Sequence, residues 1–131
     1  MVFPYCDGRV LVCDIEDRGW SIPSGRVEPH ETSVEAVIRE AQEEGGVLLC
    51  DLQYIGCYRI SEKMEVRWAD VYVARISEFG EIIMKEESLD RQLVTFEELP
   101  HIYHLWNPLT EMVFNHSLEI FQRFESQASS T

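Results

Sequence analysis

Glu31, Arg39, Glu40, Glu43 and Glu44 are the residues of this chain whose types and spacing can do chemistry, and all five fall in one stretch, GRVEPHETSVEAVIREAQEEGGV from Gly25 to Val47. Residues three and four apart share a helix face, so Glu40, Glu43 and Glu44 converge if this stretch is helical. Three carboxylates on one face repel one another, and a fold that keeps them needs a cation. Carboxylate oxygens suit hard divalent ions such as Mg2+ or Mn2+. Arg39 stands four residues before Glu43 and can pair with it, which would fix one carboxylate in place. A solvated acidic helix face is the bland alternative, since most charge runs are that. The ordered start and stop of this helix count against it.

The helix that must carry these groups has its own punctuation. Thr32-Ser33-Val34-Glu35 fits a capping box, with Thr32 as N-cap and Glu35 reaching back, and Gly45-Gly46 supplies a left-handed C-terminal residue. Val34, Val37, Ile38 and Ala41 form an apolar stripe beside the acidic one. One stripe is expected to pack, and the other to face a cleft.

The same residues resemble the signature of the Nudix hydrolase family, the Nudix box, with every fixed position filled: Gly25, Glu31, Arg39, Glu40, Glu43, Glu44 and Gly46. Filling seven such positions by chance has a probability on the order of 10⁻⁷ per starting point. The resemblance implies an α/β/α sandwich with a mixed β-sheet, the box forming a loop-helix-loop. It also implies hydrolysis of the diphosphate bond in a nucleoside diphosphate linked to another group, with Mg2+ or Mn2+ as cofactor. Glu40, Glu43 and Glu44 match the family's metal-binding glutamates, and Arg39 and Glu31 match residues that orient and buttress them. Further metal ligands implied by the resemblance are the carbonyl of Ser24 and, from a later loop, Glu87.

Two positions depart from the family pattern. Ser24 and His30 stand where glycine is common, and serine disfavours a positive φ, so a differently shaped loop is expected. For the substrate, Arg67, Arg59 and Arg26 are candidate phosphate partners, and Tyr5, Trp68 and Tyr58 could stack on a base. Sheet aromatics are more often core than ligand contacts. Arg67 ranks first, because a charged residue inside a β-rich run must be exposed, paired or functional. No proline lies between Gly46 and Pro100, so the downstream proline of ADP-ribose-directed relatives is missing, and a nucleoside triphosphate becomes the default substrate. A binding or sensor module without turnover is the alternative function; that version usually loses box carboxylates, and this chain keeps them.

Length and composition set the frame. The 131 residues allow one domain, read as residues 1–125 followed by a short polar tail, 126–131. A net charge of −13 argues against duplex nucleic acid or anionic membrane as a partner, since both need clusters of Lys and Arg. A nucleotide-type small molecule would need metal to approach such a chain. Cys6, Cys13, Cys50 and Cys57 are too widely spaced for a Cys-x-x-Cys motif and read as reduced thiols, which places the protein in the cytoplasm. No signal peptide or apolar span is recognisable. A homodimer is compatible with the resemblance.

Around the box, Met1–Tyr5 and Arg9–Ile15 read as strands joined at Cys6-Asp7-Gly8, and the short first strand raises the expectation of a longer native start. Val47–Ile60 and Val66–Ile76 are β-rich, the second central in its sheet. Residues 77–92 read as loop, Leu93–Thr95 as a short strand and Phe96–Leu99 as a helical turn. Asn107 and Pro108 open a last helix, with Leu109, Met112, Val113, Ile120 and Phe124 on its core face. His101, His104 and His116 show no ligand-like arrangement.

Overall fold

A computed structural model describes residues 1–62 and 64–129. Six strands form one mixed sheet: β1 (Val2–Cys6), β2 (Arg9–Ile15), β3 (Gly19–Ser21), β4 (Val47–Glu62), β5 (Glu65–Phe79) and β6 (Ser88–Val94). Their order is β3-β2-β1-β5-β4, with β6 pairing β2. All pairings are antiparallel except β1 with β5. The helices are α1 (Ser33–Gly45), the short α2 (Leu99–Ile102) and α3 (Pro108–Ser129).

Both faces of the sheet are covered, and the period of two along the strands decides which residue goes where. Phe3, Tyr5, Val10, Val12, Val71 and Val73 join Phe114 and Phe121 of α3 in one cluster. The alternate residues Val2, Leu11, Cys13, Ile15, Tyr72, Ala74 and Ile76 pack with Val37 and Ala41 of α1 in the other. The arrangement is therefore helix, sheet, helix, as the resemblance implies. Strand β5 lies between β1 and β4, which is the inner position its mixed pattern predicts. All four cysteines are free thiols, and among the described residues no helix is long and apolar enough to cross a membrane.

Several local expectations need correction. The segment expected to be loop at 77–92 begins and ends in strand: β5 continues to Phe79 and β6 opens at Ser88. The extra length comes from pairing with β4 and β2, which no local pattern reveals. Thr95 to Glu98 form a turn closed by bonds to the Thr95 carbonyl, so the helical turn expected at Phe96–Leu99 starts instead at Leu99. Helix α3 runs to Ser129, through most of the segment read as a tail. Its core face differs in part: Val113 and Ile120 pack against the cluster as expected, but Leu109 and Met112 are exposed, and Phe114, Ser117 and Phe121 are the buried residues. On α1, Val34 and Ile38 are exposed, and the packed face is Ala36, Val37, Ala41 and Gly45.

The start and stop of α1 follow the sequence. The Thr32 hydroxyl accepts from the Glu35 N–H, and the Glu35 carboxylate accepts from the Thr32 N–H. Gly46 closes the helix at φ 63° and ψ 34°, its N–H donating to Ala41 and Gln42. The remaining carbonyls of the last turn are satisfied from β6 and the loop before it, where the Met84 N–H donates to the Glu43 carbonyl. Ser88 Oγ donates to the Glu44 carbonyl at 2.6 Å, and Arg91 Nη1 donates to those of Gly45 and Gly46 at 2.9 Å each. The Arg91 guanidinium thus also supplies the positive charge that a helix C-terminus favours and that α1 itself lacks in its last turn.

A side chain at Gly46 is excluded twice over: the backbone is left-handed, and a Cβ would stand 2.6 Å from Arg91 Nη1 and 2.7 Å from the Glu81 backbone. We expect Gly46→Ala to cost about 2–4 kcal/mol, read by urea unfolding. A loss below about 1 kcal/mol would show that this end of the helix is loosely held.

Candidate active site

The box residues form a charged seam between α1 and the loop that precedes it. Arg39 is the hub. Its Nε and Nη2 reach the two carboxylate oxygens of Glu31 at 2.8 and 3.1 Å, a bidentate pair. Its Nη1 donates to Glu40 at 2.9 Å and to Glu43 at 3.1 Å, and Nη2 also donates to the Arg26 carbonyl at 3.1 Å. One half-buried guanidinium therefore ties three carboxylates and the loop backbone together. The hydrogen bond from Arg39, and then the Glu28 N–H, hold Glu31 below the usual carboxylate range. Its carboxylate partners, Glu31 first, raise Arg39 in turn.

Glu44 has a different environment. It is 7% exposed, and one carboxylate oxygen accepts from the Ser24 N–H at 3.0 Å. Burial pushes its carboxyl up to about 7; the Ser24 bond opposes this, while the charges of Glu40 and Glu87 add to it. Burial raises Glu40 as well, against the pull of Arg39. Two acidic groups are thus desolvated beside each other, with Arg39 and a single backbone N–H as their partners.

Such a pair is short of positive charge, and the groups that the resemblance nominates as ligands are all oxygen donors: Glu40, Glu43, Glu44, the Ser24 carbonyl and, from the loop before β6, Glu87, whose charge adds to the upward shift of Glu44. By chemistry this set fits a hard divalent cation, which would reverse the upward shifts of Glu40 and Glu44. The geometry corrects the expectation of three converging carboxylates. Glu40 and Glu43 are drawn to Arg39, Glu44 turns to the Ser24 backbone, and among the described residues no group of three His, Cys, Asp or Glu side chains is arranged to hold a metal ion. A cation would have to draw these side chains in.

The loop before α1 is placed by its backbone. Ser24 does not adopt a positive φ, so the serine costs no strain there, and its hydroxyl accepts from Arg18 Nη1 at 3.1 Å. His30 does adopt one, at 67°, and its side chain bears the strain that a glycine would avoid. Gly25 has no room for a side chain, since a Cβ would overlap the Glu40 carboxylate. That carboxylate is the end of a flexible chain, so Gly25→Ala should leave stability within about 1 kcal/mol while displacing Glu40 and lowering any turnover by about tenfold or more. Thermal melts and kcat measured on the same sample check both halves.

A cleft of about 790 Å³ opens beside the seam, lined by Ser24, Gly25, Glu40, Arg26, Arg67 and Trp68 among others. A smaller pocket of about 260 Å³ adjoins it, lined by Arg59 and again by Arg67 and Ser24. The three candidate arginines thus face cavities, although Arg26 also pairs with Glu65 at 3.1 Å in full solvent. Trp68, 68% exposed, lines the cleft, and Tyr58 lines the smaller pocket. Tyr5 does neither. It is 0% exposed, its ring stacks on Phe121, and its hydroxyl bonds Ser117 Oγ at 2.7 Å. Tyr5 is therefore a core residue and cannot stack on a ligand, because β1 turns it toward α3.

Glu87 is held near the helix end by backbone bonds: the Met84 N–H donates to the Glu43 carbonyl at 2.9 Å, and the Ser88 N–H to that of Met84 at 2.8 Å. Ser88 and Arg91, which anchor α1, had no signal in the sequence beyond being polar.

A mixed sheet between two helical layers, with a capped acidic helix on one face and an arginine bridging its carboxylates, defines an α/β sandwich with a charged helix-loop motif. The family profile described as NUDIX domain matches residues 2–115, and the chain belongs to that family. A Bacillus subtilis (strain 168) protein named "Putative 8-oxo-dGTP diphosphatase YtkD" is 36% identical over 98 residues, covering 74% of this chain and 56% of that protein. The chain thus spans about half the length of this curated relative. Among solved structures, a mutant form of the Bacillus subtilis pyrophosphohydrolase BsRppH superposes with a TM-score of 0.76 at 28% identity, over 93% of this chain and 78% of that one. A NUDIX hydrolase from Nitrosomonas europaea gives 0.77 at 17% identity, over 88% and 83%, a likeness of fold.

Proposed function

We propose that this chain is a divalent-metal-dependent pyrophosphohydrolase that cleaves the phosphoanhydride bond of a nucleoside diphosphate linked to another moiety, with a nucleoside triphosphate as the first candidate. The observation that carries this reading is the desolvated pair Glu40 and Glu44, Glu40 lining an arginine-lined cleft and held by Arg39, Glu44 held by the Ser24 N–H. Relatives named as a diphosphatase and a pyrophosphohydrolase support it.

Glu40, Glu43, Glu44, the Ser24 carbonyl and Glu87 are the groups that would hold Mg2+ or Mn2+. When bound, such an ion offsets charge on bridging phosphate oxygens and lowers the pKa of water. The chain's own residues do the rest. Glu31 and Arg39 fix the carboxylates so that little reorganisation is needed, and Arg67 and Arg26 attract the polyphosphate that the net negative charge otherwise repels. Glu43 and Glu44 are the carboxylates whose conversion to Gln is expected to cost the most turnover.

The test is phosphate or pyrophosphate release with Mg2+ or Mn2+ across nucleoside triphosphates, nucleotide sugars, dinucleoside polyphosphates and capped RNA. Metal-dependent turnover of at least one class is the expected result. No release from any of them, with nucleotide binding retained, would leave the sensor module as the function.

A further inference from the structure

The carbonyls of Glu43, Glu44, Gly45 and Gly46 stand at the end of α1, where a helix leaves its carbonyls without internal partners. Residues 80–91 meet all four. The Gly80 N–H donates to Gly46 at 2.7 Å and the Met84 N–H to Glu43 at 2.9 Å. Ser88 Oγ donates to Glu44 at 2.6 Å, and Arg91 Nη1 to Gly45 and Gly46. Only the last two donors are side chains, so only there does the residue type decide whether the bond forms. Ser88, 1% exposed, is the neighbour of Glu87. The Glu87 backbone is also held on its other side, where the Glu16 N–H donates to its carbonyl at 2.7 Å.

Electrostatics works against this joint. Glu44 is desolvated, and the charge of Glu87 adds to the difficulty of ionising it. Two like charges therefore face each other across the contact and push it open in the metal-free protein. The Ser88 bond resists that push. It is buried, and its loss would leave the Glu44 carbonyl without this partner.

Resting on the metal-dependent reading above, we propose that Ser88 is a positioning residue of this site: its hydroxyl fastens the loop that carries Glu87 to the backbone of Glu44, so that both carboxylates are presented to the same cation. Ser88 touches neither substrate nor ion in this role. It acts on Glu87 through the backbone, as Arg39 acts on Glu31, Glu40 and Glu43 through side chains. Because the bond is already formed, the ion need not close the loop as it binds.

The experiment is a double-mutant cycle on Mn2+ binding, read by calorimetry without nucleotide. Ser88→Ala should weaken Mn2+ about three- to tenfold, and Glu87→Gln about tenfold. The double variant should bind within about twofold of Glu87→Gln alone, because the loop then has no carboxylate to position. Ser117→Ala removes a buried serine-to-carbonyl bond of the same kind, to Phe114 at 2.8 Å in the helix on the other face of the sheet. It should leave Mn2+ binding unchanged. With nucleotide and Mg2+, Ser88→Ala should lower kcat about tenfold with KM within about twofold. Amide exchange of the metal-free protein gives a second reading that needs no change at Ser88. Glu87→Gln removes the repulsion, so the Met84 N–H should exchange about threefold or more slowly. Parental Mn2+ affinity in Ser88→Ala, equal losses with and without Glu87, or Met84 exchange indifferent to Glu87→Gln overturns the assignment. If the cycle couples and no nucleotide is cleaved, Ser88 keeps its role and the hydrolase reading falls; turnover with a Mn2+ affinity indifferent to Ser88→Ala means the reverse. A parent chain that binds no Mn2+ overturns both.

Discussion

Glu44→Gln is expected to lower kcat by on the order of 10³-fold or more, while making the metal-free protein more stable at pH 8. The two effects have one cause. The Glu44 carboxyl is raised from 4.5 to about 7, so its ionised form is costly in the folded state. A raised carboxylate penalises folding fully above the folded value, progressively less as pH falls, and not at all below the unfolded value near 4.5. A shift of this size corresponds to about 3 kcal/mol at pH 8. Glutamine keeps an oxygen that can accept from the Ser24 N–H but carries no charge, so most of that cost should disappear.

Thermal melts in EDTA at pH 8 should show Glu44→Gln above the parent chain by several degrees, with the gap closing toward pH 4.5. Adding Mg2+ or Mn2+ should raise the parent's melting temperature and leave the variant's nearly unchanged. Glu43, more exposed and already paired with Arg39, should show no comparable gain in stability on conversion to Gln. Near-normal turnover in both Glu43→Gln and Glu44→Gln would remove the carboxylates from the mechanism. A variant that loses activity and also melts lower without metal would mean that Glu44 is not the desolvated charge described above.

The parts of this site that were legible in the sequence are the local ones. The capping box of Thr32 and Glu35, the left-handed Gly46 and the Arg39–Glu43 pair depend on residues within one or two helical turns, and they form as the spacing predicts. What the spacing did not show is which way the carboxylates turn. Glu44 faces the Ser24 N–H, twenty residues away in sequence, and Glu40 faces the space above Gly25, because the preceding loop folds back over the helix. The packed face of α1 was misplaced in part: Val37 and Ala41 are buried as the stripe predicts, but Val34 and Ile38, apolar enough to be core, are exposed while Ala36 and Gly45 are buried. On α3 the true face carries Ser117, polar and therefore discounted, which is buried because Tyr5 supplies its hydrogen bond. Ser88 and Arg91 cap a helix more than 40 residues upstream, and only a tertiary structure brings such partners together. The α/β/α layering, which the resemblance implied, forms because alternate residues along β1, β2 and β5 supply apolar side chains to both faces of the sheet.

Arg39→Lys tests whether the seam depends on charge alone or on the shape of the group that carries it. The guanidinium makes five hydrogen bonds at once: two to Glu31, one each to Glu40 and Glu43, and one to the Arg26 carbonyl. An ammonium has three donors at a single point and cannot reproduce a bidentate pair with Glu31 while reaching two further carboxylates on another side. Glu31 and Glu40, both with little exposed side chain, would keep their charges and lose partners. Breaking such a network by removing one member costs about 3–5 kcal/mol, and lysine should recover only part of this. We therefore expect Arg39→Lys to lose about 2–3 kcal/mol of stability and, at temperatures where it is fully folded, to lower kcat by about a hundredfold with little change in KM. The apparent affinity for Mg2+ should fall with kcat, because the carboxylates that would bind the ion are no longer held in register. That split separates positioning from mere scaffolding, since a purely structural residue would return normal kcat once the protein is folded. An Arg39→Lys enzyme with parental kcat and metal dependence would show that one positive charge is enough and that the fork geometry at Glu31, Glu40 and Glu43 is incidental.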